Sequence, residues 1–206
     1  ECLNVFEGLK NVYSVYISPD QTKALFVSEK PVFYIADLIS FSIDCKNILP
    51  PYNDNIEGIG CWDQNSKSVF VPVQKKTSMC SIVRQYFIGD TNAYKDVFTG
   101  NYHVISVEYI EPLKKHLFVG LDLDKYYSFV AECWFIAWYD NSKTDIIYLK
   151  GNDTNVDKTE INTKDKLIKV FSNNKICEYG FDGQVLSQVT LQDYYKMQEK
   201  LFHPLF

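Results

Sequence analysis

Arginine is almost missing from this chain: Arg84 is the only one among 21 basic residues. A guanidinium fork, which holds phosphate or carboxylate through two parallel N–H bonds, is therefore available at one position at most. Clustered positive charge is missing too. The formal charge is −5, and Lys75-Lys76 and Lys114-Lys115 are the only lysine doublets. Non-specific attraction to a polyanion needs clustered cations, so these figures argue against a nucleic-acid partner. There is no Cys-x-x-Cys and no Cys/His spacing of the zinc-finger kind. No glycine-rich phosphate loop and no Gly-x-Ser-x-Gly elbow occur, which removes the sequence support for nucleotide binding and for a serine hydrolase. Asp153-x-Asn155-x-Asp157 imitates the first half of a calcium loop. The second half fails, with Lys158 where glycine is needed and Lys164 where glutamate is needed. No apolar run approaches the roughly 20 residues that span a bilayer as a helix. No cofactor, metal or membrane span is expected.

What the chain has in excess is aromatic side chains: 15 Tyr, 14 Phe and 3 Trp in 206 residues. Tyr and Phe favour half-buried pleated surfaces, so the bias leans toward strands. Six cysteines (Cys2, Cys45, Cys61, Cys80, Cys133 and Cys177) are widely dispersed, the pattern of a disulfide framework whose pairing sequence cannot choose. Asn152-Asp153-Thr154 is an N-glycosylation sequon inside the polar stretch 151–165, which reads as an exposed loop. The chain begins at Glu1, as a product of signal cleavage would. Together these features predict a secreted, disulfide-bonded glycoprotein.

Order along the chain comes from a recurring hairpin. An apolar run, Val12 to Ser18, meets the turn Pro19 to Lys23 and returns through Ala24 to Val27. Proline fixes φ and aspartate bonds its own backbone, so the turn has a mechanism. The same syntax returns around Asp63 to Lys67, around Glu111 to Lys115 and, in degenerate form, around Thr163 to Lys166. Registered on Phe26, Phe70, Phe118 and Ile168, the copies recur at intervals of roughly 40 to 50 residues, a spacing propeller blades produce. The candidate units are about 12–50, 56–98, 102–150 and 156–191 within one all-β domain of residues 1–206. The expected fold is a four-unit β-propeller-like arrangement of antiparallel sheets, with Cys2 and Cys177 placed to staple the first unit to the last.

In size and repeat number the chain is similar to hemopexin-type domains. Their recurrent Asp-Ala-Ala strand and aromatic-Lys-Gly turn ahead of a Trp stand in none of the four units, so no function is carried over. A closed, lipocalin-like antiparallel barrel is the alternative, because Tyr102 to Leu121 followed by Cys133 to Tyr139 resembles a late strand pair. The Gly-x-Trp that opens a lipocalin is absent from the first strand. Leu191, Tyr194, Tyr195, Gln198 and Leu201/Phe202 follow helical spacing and predict a C-terminal helix over 191–202, ended by Pro204.

Candidate chemistry is sparse. Three histidines, His103, His116 and His203, limit acid–base work near neutral pH and read best as structural. Asp122-Leu123-Asp124 would put two carboxylates on one face if its strand continued, a pair able to ligate calcium or act on a glycosidic bond. Trp62, Tyr109, Trp134, Trp138 and Tyr139 are the candidate binding residues, since Trp and Tyr make rigid amphipathic anchors. No catalytic residue is assigned. The leading expectation is a secreted, non-enzymatic binding protein that engages a protein or small ligand through loops or a central funnel. The alternatives are a small-molecule carrier with an enclosed apolar cavity and an extracellular hydrolase.

Overall fold

A computed structural model describes residues 9, 12–28, 33–45, 55–56, 60–74, 79–89, 93–130, 132–150, 156–172 and 174–202. β1 (Val12–Ile17), β2 (Lys23–Ser28), β3 (Phe33–Asp37) and β4 (Ser42–Cys45) form the first sheet, in that order. The second pairs two short segments, β5 (Asn55–Ile56) and β6 (Cys61–Trp62), with one edge of β7 (Ser68–Gln74). It continues through β8 (Ser81–Phe87) and β9 (Tyr94–Phe98). β10 (Tyr102–Ile110), β11 (Lys115–Asp122), the short helix α1 (Leu123–Tyr127), β12 (Trp134–Tyr139) and β13 (Thr144–Tyr148) supply the third. The fourth is β14 (Val156–Asn162), β15 (Leu167–Ser172), β16 (Lys175–Gly180) and β17 (Val185–Thr190), followed by α2 (Leu191–Phe202). Four successive meanders, each with two free edges, are four separate sheets. The barrel alternative is overturned.

One turn device opens every sheet. The first hairpins reverse through a non-glycine residue in the left-handed region: Gln21 (φ 59°), Ser66 (φ 57°), Lys114 (φ 52°) and Lys166 (φ 55°). Four positions after each stands a fully buried side chain: Leu25, Phe70, Phe118 and Val170. The register expected from sequence coincides with these positions at Phe70 and Phe118; Ile168, two before Val170, shares its buried face, and Phe26 is one position past Leu25. The offset at Phe26 arises because aromatic identity was matched where turn geometry sets the phase. A side chain displaced by one position would change face.

Pro72 sits inside β7, opposite Val83 of β8. Proline cannot donate to a ladder. On its other edge the described pairings flank it, Ile56 with Val73 and Cys61 with Phe70, so the missing donor falls between two short partners.

The chain divides into two compact units, Glu1–Gly120 with Ala137–Asp145, and Leu121–Ile136 with Ile146–Phe206. Within the first, Leu25, Ile35, Trp62, Val71 and Ile82 belong to one buried cluster. Each such side chain contributes about 1.5–3 kcal/mol by leaving water. Successive turns are tied together there: the Asp20 N–H donates to Ser66 Oγ (3.2 Å), and Gln64 Nε2 donates to Glu111 Oε1 (3.4 Å). Within the second unit, Ile168, Val170, Ile176 and Tyr179 are buried. The Tyr179 hydroxyl donates to the Lys150 carbonyl (2.9 Å). α2 starts on Thr190, whose Oγ1 accepts from the Asp193 N–H (3.1 Å) and donates to the Asp193 carboxylate (2.7 Å), a reciprocal N-terminal cap. Its Tyr194 ring meets Phe171 edge-on at 6.2 Å, so the helix docks on its own sheet.

Two local expectations are corrected. The disulfide framework is not formed among the described cysteines: Cys61, Cys133 and Cys177 carry free thiols, and Cys80 Sγ lies 2.8 Å from Asn101 Oδ1. Strand register gives the reason. Cys61 stands opposite Phe70, and Cys177 stands between Val170 and Gln188, so neither meets a cysteine across a strand. Cys177, expected to staple to Cys2, carries a free thiol. Cys2, the side chain of Cys45, the Asn152 sequon and His203 lie outside the described residues. Within the polar stretch expected as a loop over 151–165, residues 156–162 form β14 and the turn follows at 163–166, while 151–155 lie outside the described residues.

Candidate functional site

Strands β1, β6 and β10, one from each of three consecutive sheets, line an open cleft of about 480 Å³ within the first unit. Its walls come from Val15, Tyr16 and Ile17 on β1, from Cys61 and Trp62 on β6, and from Val107, Glu108 and Tyr109 on β10, with Pro19 and Gly60 at the ends of these segments. Gly60 is required by space: a Cβ there would lie 2.7 Å from the Phe70 carbonyl oxygen. Trp62 is held rigidly, because its indole N–H donates to the Tyr16 carbonyl (2.8 Å). Trp62 and Tyr109, two of the candidate binding residues, thus come together at one site.

The charge that matters at this cleft was not singled out from the sequence. Glu108 is a half-buried carboxylate with no hydrogen-bond or ion-pair partner among the described residues, and burial pushes its carboxyl above the ordinary range. Its negative field is felt by its neighbours. The Cys61 thiol is raised well above its usual value by burial, then by Glu108 and Asp63. Tyr16 is raised by burial against a Ser14 hydrogen bond, and further by Glu108 and Cys61. Tyr109 is raised by burial, Glu111 and Asp63. The alternation of β10 could have pointed to Glu108, since a charged residue directly before an aromatic in a mostly buried strand is unusual composition.

Behind Tyr109 lies a second aromatic environment. The His116 ring centre is 3.8 Å from that of Phe70, 5.1 Å from Tyr109 and 6.2 Å from Tyr139. His116 is 1 % exposed, and neither ring nitrogen has a partner among the described residues. Burial lowers its pKa to about 4, so the ring is neutral. The Tyr109 hydroxyl is likewise buried without a partner among the described residues.

The remaining candidates do other things. Trp134, Trp138 and Tyr139 are all buried on β12, and none lines the cleft. Asp122 and Asp124 do not share a strand face, because the strand ends at Asp122. That carboxylate caps α1, accepting from the Lys125 N–H (3.2 Å) and from the Tyr148 hydroxyl (2.6 Å), while Asp124 is exposed on the helix. Ser81 Oγ lies 3.2 Å from His103 Nδ1, yet Ser81 is fully buried and the same nitrogen is 3.2 Å from the Met79 carbonyl. The lone arginine is used internally: Arg84 grips Asp96 through Nε (2.6 Å) and a terminal nitrogen (3.3 Å), under the Tyr94 ring at 4.2 Å. Among the described residues no three His, Cys, Asp or Glu side chains gather as metal ligands, and no helix is long and apolar enough to cross a membrane.

No known sequence family matches the chain, and no curated protein does. Solved structures match in fold. One is dihydro-heme d1 dehydrogenase NirN in complex with DHE, with TM-score 0.63 and 13 % identity over 87 % of this chain and 37 % of that one. Another is the β-propeller domain of Cps50 (Swd1) from Myceliophteria thermophila, with TM-score 0.61 and 10 % identity over 89 % of this chain and 56 % of that one. The fold is propeller-like. The chain covers less than two thirds of either structure's length, and identities this low speak to architecture alone.

Proposed function

We propose that this chain is a non-enzymatic binding module whose cleft between β1, β6 and β10 receives a small ligand or one side chain of a larger one. The observation that carries the reading is the cleft itself. Its volume of about 480 Å³ falls inside the range of roughly 300–1,000 Å³ used by ligand sites, and its walls combine apolar and aromatic side chains with one carboxylate, Glu108. The enclosed-cavity carrier loses its support with the barrel. The carboxylate pair of the hydrolase reading is not assembled, because Asp122 is occupied as a helix cap and Asp124 stands exposed on α1. The extracellular setting is kept as part of the proposal and rests on the Asn152 sequon, since three of the cysteines are free thiols.

The test is a thermal-shift screen of chemically mixed small molecules on the wild-type chain and on Val15→Trp. Val15 is half exposed on the cleft wall, so a larger ring there fills the cleft without touching the core. A true ligand at 100 times its Kd stabilises the wild type by about 2.7 kcal/mol. That stabilisation should vanish in Val15→Trp. Ligands that stabilise both proteins equally, or a screen with no stabilising member, would overturn the proposal.

A further inference from the structure

We propose that the cleft selects an organic ammonium group, with the Glu108 carboxylate as its counter-ion and the rings of Tyr16 and Tyr109 as its walls. This deepens the binding reading and depends on it. Three observations converge. First, among the described residues no lysine, arginine or histidine lines the cleft, and the carboxylates acting on Tyr16, Cys61 and Tyr109 are Glu108, Asp63 and Glu111. An anionic ligand would enter against that field, whereas a cation enters with it.

Second, Glu108 is half buried with no partner among the described residues, although carboxylates taken out of water are ordinarily paired. A bound cation completes the pair. Third, two of the partly exposed lining residues are tyrosines, Tyr16 and Tyr109, beside the apolar Val15 and Ile17, and Trp62 is tied to this wall through its bond to the Tyr16 carbonyl. Aromatic faces attract a cation through the ring quadrupole, and most strongly where water is excluded. The indole N–H is already committed, so it is not free to donate to an anion or a sugar. A metal ion fits less well. Calcium and magnesium take six or more oxygen ligands, and no trio of ligating side chains stands among the described residues.

The experiment compares matched probes by calorimetry: choline against its neutral isostere 3,3-dimethylbutanol, benzylammonium against benzyl alcohol and benzoate, and a lysine blocked at both ends. The blocked lysine separates a free amine from a peptide side chain as the source of the ammonium. The cations should bind at least ~10-fold more tightly than their neutral partners, and Glu108→Gln should abolish that preference while leaving the neutral probes unchanged. Glu108→Gln should also raise the melting temperature of the free protein at neutral pH, because it removes an unpaired, half-buried charge; that result shows the variant is folded. If neutral or anionic probes bind as well as the cations and Val15→Trp blocks them, the cleft stands as a site and the ammonium assignment falls. If no probe binds, both fall.

Discussion

Glu108 and His116 are two titratable groups in neighbouring aromatic surroundings, with Tyr109 touching both environments. Burial is the leading cause of both pKa shifts, and it moves them in opposite directions: the carboxyl rises and the imidazole falls to about 4. In each case burial disfavours the charged form. The difference lies in access. Glu108 faces a cleft where a counter-ion could arrive, while His116 is closed in by Phe70, Tyr109 and Tyr139. One environment is therefore suited to binding and the other to packing. Phe70 joins the two mechanically, since its carbonyl lies behind Gly60 at the cleft and its ring covers His116.

The pH dependence of stability separates them most strongly. A histidine whose folded pKa is depressed contributes stability that is complete above the unfolded value near 6.5 and is lost as pH falls toward 4. The loss amounts to about 3 kcal/mol, from a shift of roughly two and a half pH units. Glu108 acts with the opposite slope: its contribution is present in acid and is lost as pH rises through its raised value. In urea titrations between pH 4 and 7, His116→Phe should gain on the wild type as the solution becomes more acid, by about 3 kcal/mol at pH 4. A gap independent of pH would mean that His116 is not held neutral, and the contrast with Glu108 would disappear.

A smaller effect is expected from Gly60→Ala. The added methyl meets the backbone oxygen of Phe70 at 2.7 Å, so the wall must shift. Overpacking of this kind costs about 1–3 kcal/mol. If Phe70 does couple the two environments, the same variant should change the His116 titration followed by NMR. A stability loss with an unchanged titration would show that the cleft wall yields without moving the ring.

The sheets were legible because the turns carry their own chemistry: Pro19-Asp20, Asp63 and Pro112 mark three reversals before any tertiary contact is considered. The phase within them was less legible. It is set by left-handed residues such as Gln21, whose side chain does not advertise that conformation, and so Phe26 was matched one position past the buried Leu25. Trp62 and Tyr109 were found because they end first strands, where a cleft can open. Glu108 was missed because a lone acid in a strand looks like solvent-facing charge until its neighbours from β1 and β6 are in place. The cysteines misled for a comparable reason. An even, dispersed count is compatible with a framework, but the three-dimensional separation and direction of the Cβ atoms decide which sulfurs can meet.

Tyr109 offers the finest cut between the two environments. Its hydroxyl is buried without a partner among the described residues, while its ring both lines the cleft and packs on His116. Tyr109→Phe deletes the unsatisfied group and keeps the ring. A buried polar group left unpaired costs about 1–3 kcal/mol, so the variant should be more stable by about 1 kcal/mol in urea denaturation. Its ammonium affinity should hold, because a cation is attracted to the face of Phe as it is to Tyr. The acid-side slope assigned to His116 should hold as well, since burial alone lowers that pKa and the phenyl ring preserves the burial. A loss of cation binding with stability gained would transfer the contact from the ring face to the hydroxyl. A loss of stability would mean that the hydroxyl is satisfied in the folded protein, and Tyr109 would then belong to the packed side of the boundary alone.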